Sequence, residues 1–494
     1  MTRPSHRATR LFLPFVFIIS CLLLQSIRLT GDGLSYYAYL RSVLFDGDLD
    51  FANEFIKYNP LGHATPDPAQ RTATGLVANP FAVGPAFLWA PFVLPVHLVY
   101  MSIAALTSGA VTGYELPYVA AAVFGTNFVA LLGWLAAVEV ASRYASRSTA
   151  VVAVLAVVFG SAYVNYLYFD PAYSHVLSAS LVALFIWNSL CFLERPADPR
   201  APLVAGLLGG LMILTRWQNI FFLAVPAVLI AARWLGNRRR GRREPLPTLP
   251  QLLLFGVILF VLQLPQLAVW RALYGAWLTV PMGGAFIRLE EPALLQILLS
   301  PRNGLFSWTP LVALGLLGML ALFRLDTPLA LGLSLVVLAQ WYLNATIADW
   351  WGGSAFGARR FIGSSLVFIV GLATIIRYAR RQRPHRLAIY AMLLGGVIWN
   401  LLLWTQYVIG SPPVRATADL GHIYAGQLHY GLANVYRLLG RGTWIDLAVR
   451  SGVLEQNWGN VGAALVWLAA LVAVAFAATE LWLRLTSWCN AGTA

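Results

Sequence analysis

The sequence predicts an all-α polytopic membrane protein of about twelve transmembrane helices, and three observations carry that prediction. Of its 494 residues, 59% are hydrophobic and only 11% charged, far more apolar than a soluble globular chain. Apolar runs near the length of a bilayer span follow one another from residue 11 to residue 483. The basic residues fall in short stretches between those runs, the footprint of cytoplasmic loops, so the net charge of +14 points to membrane topology and not to nucleic acid.

The first ten residues, MTRPSHRATR, are basic and lead into an apolar run with no clear small-residue cleavage site, so 11–29 reads as a retained first helix. Further spans are expected at 115–140, 149–168, 176–193, 201–215, 218–235, 251–273, 305–323, 327–346, 361–377, 386–409 and 459–483. Several are short, which a broken bundle tolerates where irregular backbone lines a cavity. Cys21, Cys191 and Cys489 lie in or beside spans without metal-ligand spacing, an arrangement that supports neither a disulfide framework nor a zinc site. No inverted repeat of the kind that marks transporters is evident.

Charge sets the orientation. With the N-terminus inside, the cytoplasmic pieces are 1–10, 141–148, 194–200, 233–244, 324–326, 377–386 and the tail after 483. With the adjoining helix ends they hold 20 of the 34 basic residues against six acidic ones, and the outer side is neutral. Segment 79–104 is long enough to cross but contains Pro80, Pro85, Pro91 and Pro95. A single crossing there would put Arg143, Arg147, Arg195, Arg200 and the arginine run 238–243 outside, so a broken helix in, or dipping into, the outer interface is expected. Residues 1–494 then form one integral membrane domain, with an outer loop over 30–114 that carries juxtamembrane helices and a long outer loop over 410–458.

Residues 31–54, GDGLSYYAYLRSVLFDGDLDFANE, concentrate five of the 20 carboxylates (Asp32, Asp46, Asp48, Asp50 and Glu54) where the chain leaves the first span. Leu34, Tyr37, Arg41 and Leu44 recur at helical spacing, which predicts a short amphipathic helix lying in the interface with Asp32 at its start. A carboxylate at the edge of a low-dielectric bundle is suited to accept a proton from a hydroxyl; the alternative role for Asp32 is to cap that helix. Asp46, Asp48 and Asp50 open like a calcium loop, but Lys57 stands where the bidentate Glu belongs, so a solvated turn is expected.

Asp170 and His175, in FDPAYSH, sit at the next outer junction, where Pro171 breaks the helix; the pair suits a phosphate, a metal or a proton, or else His175 is a cap or a packed ring. Arg216, Arg302, Arg359 and Arg360 face outward beside aromatic or glycine-rich sequence. A guanidinium grips phosphate oxygens bidentately, whereas interfacial snorkelling is the alternative for any one of them. Tyr36, Tyr37, Trp308, Trp350 and Trp351 are candidates to stack on a sugar ring or an isoprenoid, or to belong to an aromatic belt. Lys57, the sole lysine, lies beside the acidic loop as a further candidate contact.

Taken together, these segments resemble the GT-C superfamily of membrane glycosyltransferases, which includes protein O-mannosyltransferases, the aminoarabinose transferase acting on lipid A and mycobacterial arabinofuranosyltransferases. What matches is the order: a first helix, an Asp-bearing outer loop with juxtamembrane helices (GDGLSYYAYLRS, then NPFAVGPAFLWAPF), and a further acid or His at the next outer junction. The resemblance implies an inverting transfer of one sugar, a pentose such as arabinofuranose or a hexose such as mannose, from a polyprenyl-phosphate donor to a hydroxyl of a glycan, lipid or protein. The site would face the periplasm from a bacterial inner membrane. Asp32 matches the family's catalytic acid, and Asp170 or His175 the region of its second acid. Many members carry an adjacent pair of acids; here Gly33 follows Asp32, so no cofactor is assumed, although a divalent metal remains compatible with the pattern.

Two other classes use a basic, aromatic outer cavity. A flippase or transporter of a lipid-linked precursor would not need Asp32 as a base, and a polysaccharide ligase or polymerase would take a diphosphate-linked donor. A noncatalytic scaffold leaves the outward clustering of ionisable residues unexplained.

Overall fold

A computed structural model of the chain describes residues 6–58, 67, 69, 71–240, 244–408 and 458–490. Among these residues the protein is helical, and the extended pairings are two isolated bridges, Arg71 with Val77 and Ile287 with Ile347. The predicted outer loop 410–458 lies outside the described residues except for Trp458.

The first half contains α1 (His6–Leu24), α2 (Asp32–Arg41), α3 (Ala52–Ile56), α4 (Gly84–Thr107), α5 (Leu116–Ser142), α6 (Arg147–Phe159), α7 (Ser174–Glu194), α8 (Ala201–Thr215) and α9 (Ala224–Arg240). The second half contains α10 (Leu249–Val261), α11 (Leu264–Tyr274), α12 (Gln296–Leu299), α13 (Leu305–Trp308), α14 (Pro310–Leu322), α15 (Thr327–Ala345), α16 (Ser365–Ala379), α17 (Arg383–Val408) and α18 (Trp458–Asn490). Nine helical stretches among the described residues are long and apolar enough to span a membrane, and four shorter apolar helices, 11–24, 147–159, 201–215 and 310–322, accompany them. Each span expected from the sequence has a helical counterpart.

The ends of these helices follow local chemistry. Ser146 caps α6 by accepting the Thr149 N–H, and Asp326 caps α15 by accepting the Leu329 N–H at 3.0 Å, with Pro328 in its first turn. At α10 the Gln251 side chain accepts the Thr248 N–H at 2.8 Å, half of a capping box. The predicted span 149–168 stops early: α6 ends at Gly160, and the chain turns through a π-helical segment, Asn165–Phe169. That early stop places 165–173 at the mouth of the bundle.

α7 is wholly enclosed, and α5 and α16 nearly so, whereas α4, α9, α10, α17 and α18 present most of their apolar surface outward. An element that is apolar all round belongs at a centre, and the outward apolar faces suit lipid. Glycines allow the closest approach, between α14 and α16: a Cβ on Gly318 would lie 1.9 Å from the Gly371 carbonyl oxygen. Small residues at such a crossing let two membrane helices pack backbone to backbone.

Three expectations are corrected. The helix at 34–44 is not an interfacial amphipath, because all ten residues of α2 are buried. Flanking segments roof it: Tyr39 donates to the Asn79 and Phe81 carbonyls, Tyr37 to the Gly113 carbonyl, and Asn79 to the Ser35 carbonyl. Apart from the buried Ser35 hydroxyl, which has no partner among the described residues, polar groups of α2 that would have faced water are thus paired inside the protein. Segment 79–104 is not broken; α4 runs unbroken through Pro91 and Pro95. A helix of 24 residues is about 36 Å long, yet both of its flanks, 79–81 and 112–113, are tied to α2, which is about 15 Å long. The chain therefore returns to the side from which α4 set out. Finally, Cys191 and Cys489 form a disulfide. They stand 298 positions apart in sequence, so spacing gave no sign of it; the pairing arises because the end of α18 lies against the end of α7.

The acidic loop is an ion-pair cluster. Arg41 donates to Asp46 and, at 3.0 Å, to Glu54, while Asn53 also donates to Asp46, and Asp48 accepts from Ser42 at 2.8 Å. Glu54 is fully buried and its second carboxylate oxygen has no partner among the described residues. Burial, outweighing Arg41, pushes the Glu54 carboxyl up to about 7. The folded protein then retains a proton that the unfolded chain releases near 4.5, so this stabilisation is complete below that pH and is lost as pH rises through about 7. The difference is on the order of 3 kcal/mol. Glu54→Gln is expected to flatten the fall in thermal midpoint between pH 5 and pH 8, measured in detergent micelles; an unchanged slope would assign the pH dependence elsewhere.

Candidate active site

Four helix ends meet at one end of the bundle: the starts of α2 and α7, the end of α8 with the 3-10 turn Trp217–Leu223, and the 3-10 turn Arg359–Ser364 that leads into α16. Two glycines bring α2 into place. Gly31 turns the chain at φ 50°, a conformation that favours glycine, and a Cβ on Gly33 would sit 2.9 Å from the Ala172 Cβ. The absence of a second acid beside Asp32 thus has a steric reason here, since a side chain at 33 would collide with the 170–173 turn.

Asp32 occupies the first turn of α2; it is 7% exposed, and its Oδ2 accepts from Arg359 Nη1 at 2.7 Å. Arg359 also lies over the Tyr173 ring, 5.6 Å from its centroid. Arg216, at the end of α8, donates to Ser174 Oγ at 3.2 Å and to Gln218 Oε1 at 3.2 Å. Ser174 in turn donates to the Tyr36 hydroxyl at 2.7 Å, which links Arg216 to the α2 face that carries Asp32. Burial raises the Tyr36 phenol above its ordinary value despite Arg216 and Arg359 nearby, so it remains a neutral hydroxyl. Arg360 is committed differently: its Nη2 donates to Asp349 Oδ1 at 2.6 Å.

Charge bookkeeping within this group is informative. Asp32 matches Arg359 and Asp349 matches Arg360, whereas no carboxylate engages Arg216 among the described residues. Among the described residues Arg216 is thus the one guanidinium of the group without a carboxylate, an arrangement suited to an anion.

His175 is buried in the first turn of α7, with its ring centroid 4.7 Å from that of Tyr166 and stacked on Tyr173 at 6.2 Å; Arg216, Arg359 and Arg360 are its charged neighbours. Asp170 is held by Arg28 at 2.6 Å, Thr30 at 3.0 Å and Asn165 at 3.0 Å, so it locks the end of α1 to the 165–170 turn.

The structure thus brings together Asp32, Tyr36, His175, Arg216, Arg359 and Arg360, with Asp170 at the edge. It does not bring in the other candidates. Arg302 is exposed and stacks on Trp351 at 4.0 Å, and Trp350 packs edge-on against Trp351. Tyr37 points away from Ser174, towards Gly113, and Lys57 is exposed with its ammonium 5.2 Å from the Tyr58 ring. Tyr166, Tyr173, Ser174, Gln218 and Asp349 enter the site without having been singled out for a role. Tyr173 and Ser174 lie in the FDPAYSH stretch, Gln218 in TRWQN and Asp349 beside the glycine-rich run, whereas Tyr166 lay inside a predicted span and carried no signal.

No family model matches the chain, and no curated protein sequence does. Among solved structures the chain is similar to ArnT from Cupriavidus metallidurans, at 16% identity and TM-score 0.47 in the apo state, over 96% of this chain and 76% of that one. ArnT bound to undecaprenyl phosphate matches at 15% identity and TM-score 0.47, over 96% and 77%. The chain is also similar to the archaeal oligosaccharyltransferase AglB from Archaeoglobus fulgidus, in complex with an inhibitory peptide and a dolichol-phosphate, at 14% identity and TM-score 0.43, over 85% and 56%.

Proposed function

We propose that the protein is a GT-C-type membrane glycosyltransferase that moves one sugar, with inversion, from a polyprenyl-phosphate donor to a hydroxyl of a glycan, lipid or protein acceptor at the outer face of a bacterial inner membrane. The observation that carries this reading is the adjacency of a buried carboxylate, Asp32, to an arginine group in which Arg216 is without a carboxylate among the described residues. A transferase with a phosphate leaving group needs both, within one sugar's width of each other.

In this mechanism Asp32 accepts the proton of the acceptor hydroxyl as its oxygen attacks the anomeric carbon from the face opposite the phosphate. The bond from that carbon to the phosphate oxygen breaks, its electron pair stays on the phosphate, and Arg216 and Arg359 meet the charge that develops. A guanidinium has five N–H donors, so Arg359 serves Asp32 and a phosphate oxygen together. Arg216 and the Ser174 and Tyr36 hydroxyls orient the donor head. Beside the arginines, Phe361 borders an apolar cavity of 270 Å³ between α14 and α15, lined also by Met319, Val337 and Trp341, which supports passage of an isoprenoid tail to the lipid side.

A divalent cation fits this donor set poorly, because Asp32 and Asp170 each already face a guanidinium, Arg359 and Arg28.

Mass spectrometry of lipid extracted from the purified full-length protein tests the reading. A bound polyprenyl monophosphate sugar is expected, and its mass identifies the sugar. A diphosphate-linked oligosaccharide would instead favour a ligase or a flippase.

A further inference from the structure

At the end of the bundle opposite Asp32, a cavity of 380 Å³ opens between the end of α5, the start of α6 and the end of α16; its polar lining is Arg143, Tyr144, Ser146, Thr149, Arg377 and Arg380. The distance from the Asp32 end is set by α7, whose 21 residues, about 31 Å, separate His175 at one end from Glu194 at the other. Glu194 marks the cavity rim by taking both nitrogens of the Arg143 fork, at 2.5 and 3.2 Å, which neutralises that arginine.

The other two arginines are not neutralised. Arg377 donates to the Tyr144 carbonyl at 2.7 Å, and Arg380 to Ser146 Oγ at 2.9 Å and Thr149 Oγ1 at 3.0 Å; no carboxylate engages either among the described residues. Asp326, on the same rim, is already occupied by the Tyr144 hydroxyl and the Leu329 N–H. Neutral groups therefore aim two guanidiniums into one cavity. The first turn of the 13-residue α6, whose Thr149 N–H is taken by Ser146 Oγ, adds the positive end of the helix dipole. These donors line one cavity, with Arg377 and Arg380 exposed at its surface.

We propose that this cavity is a binding site for an anionic phosphate headgroup, distinct from the Asp32 site. Two sources present that chemistry at a basic pocket between transmembrane helices: an anionic phospholipid of the adjoining leaflet and a phosphorylated solute. Binding there ties α5, α6 and α16 together at the end remote from the transferase chemistry.

Native mass spectrometry of the full-length protein in micelles, titrated with phosphatidylglycerol or phosphatidylcholine, tests the proposal. Preferential binding of phosphatidylglycerol is expected, with affinity falling about tenfold or more in Arg377→Gln/Arg380→Gln. Arg380→Lys, which keeps the charge, is expected to recover part of it. The control pair Arg238→Gln/Arg239→Gln, on α9 away from the cavity lining, is expected to bind as the parent does. Competition by millimolar inorganic phosphate would support the site with a soluble source, and failure to compete would support the lipid. Equal binding of the two lipids without any effect of phosphate, or an equal loss in the control pair, would overturn the proposal. None of these outcomes depends on whether Asp32 is a catalytic base.

Discussion

Asp32→Asn is expected to lower turnover by about 10³-fold, within the range that a positioned general base contributes, while leaving donor affinity unchanged or higher. The side chains are isosteric, and Asn accepts hydrogen bonds at a helix start as Asp does, so α2 has no reason to unwind. What changes is the proton acceptor and the hold on Arg359: with the carboxylate gone, the Nη1 group that bonds Asp32 at 2.7 Å is released towards the donor phosphate. Steady-state assays with a polyprenyl-phosphate sugar and a hydroxyl acceptor should therefore show the loss in kcat, with KM for the donor moving little. Unaltered kcat would return Asp32 to a purely structural role and remove the base from the proposed mechanism.

Arg359→Gln is expected to cost about 10²–10³ in kcat and to raise donor KM as well, because the group lost serves both the base and the leaving phosphate. Arg359→Lys should recover only a small part, since an ammonium is a point charge and cannot span carboxylate and phosphate with a fixed fork. The double variant Asp32→Asn/Arg359→Gln should fall well short of the product of the two single losses, the signature of groups that act as a unit. Arg302→Gln supplies the contrast: exposed and stacked on Trp351, outside the cluster, it is expected to retain near-parental activity. A loss at Arg302 as large as at Arg359 would mean that the phosphate site extends to the 300–304 turn.

Much of the site was legible before any coordinates. Asp32 and Arg359 were each conspicuous as charged residues next to a span, in a chain where only 11% of residues are charged. Arg360 was equally conspicuous, yet Asp349 holds it eleven positions away, and the sequence had no means of separating it from Arg359. Tyr36 and Tyr37 were indistinguishable as neighbours. On a helix they point about 100° apart, and only one reaches Ser174. Arg302, in a glycine-flanked turn, carries the same local signals as Arg359 and packs elsewhere.

The sequence by itself determined the class of protein, a helix within every predicted span, and the residue types available at the Asp32 end of the bundle. These depend on transfer free energies and helical periodicity, which act over a few residues and are written locally in the chain. Only the tertiary structure decided which of those residues meet. Asp32 and Arg359 are 327 positions apart, and Cys191 and Cys489 are 298 apart. Their contacts are set by how helices cross, at sites such as Gly318 against Gly371 and Gly33 against Ala172, where the absence of a side chain fixes an approach to within a few tenths of an ångström. Likewise, α2 has the periodicity of an interfacial helix and lies buried instead, because segments 79–83 and 112–114 supply the hydrogen bonds that water would have made.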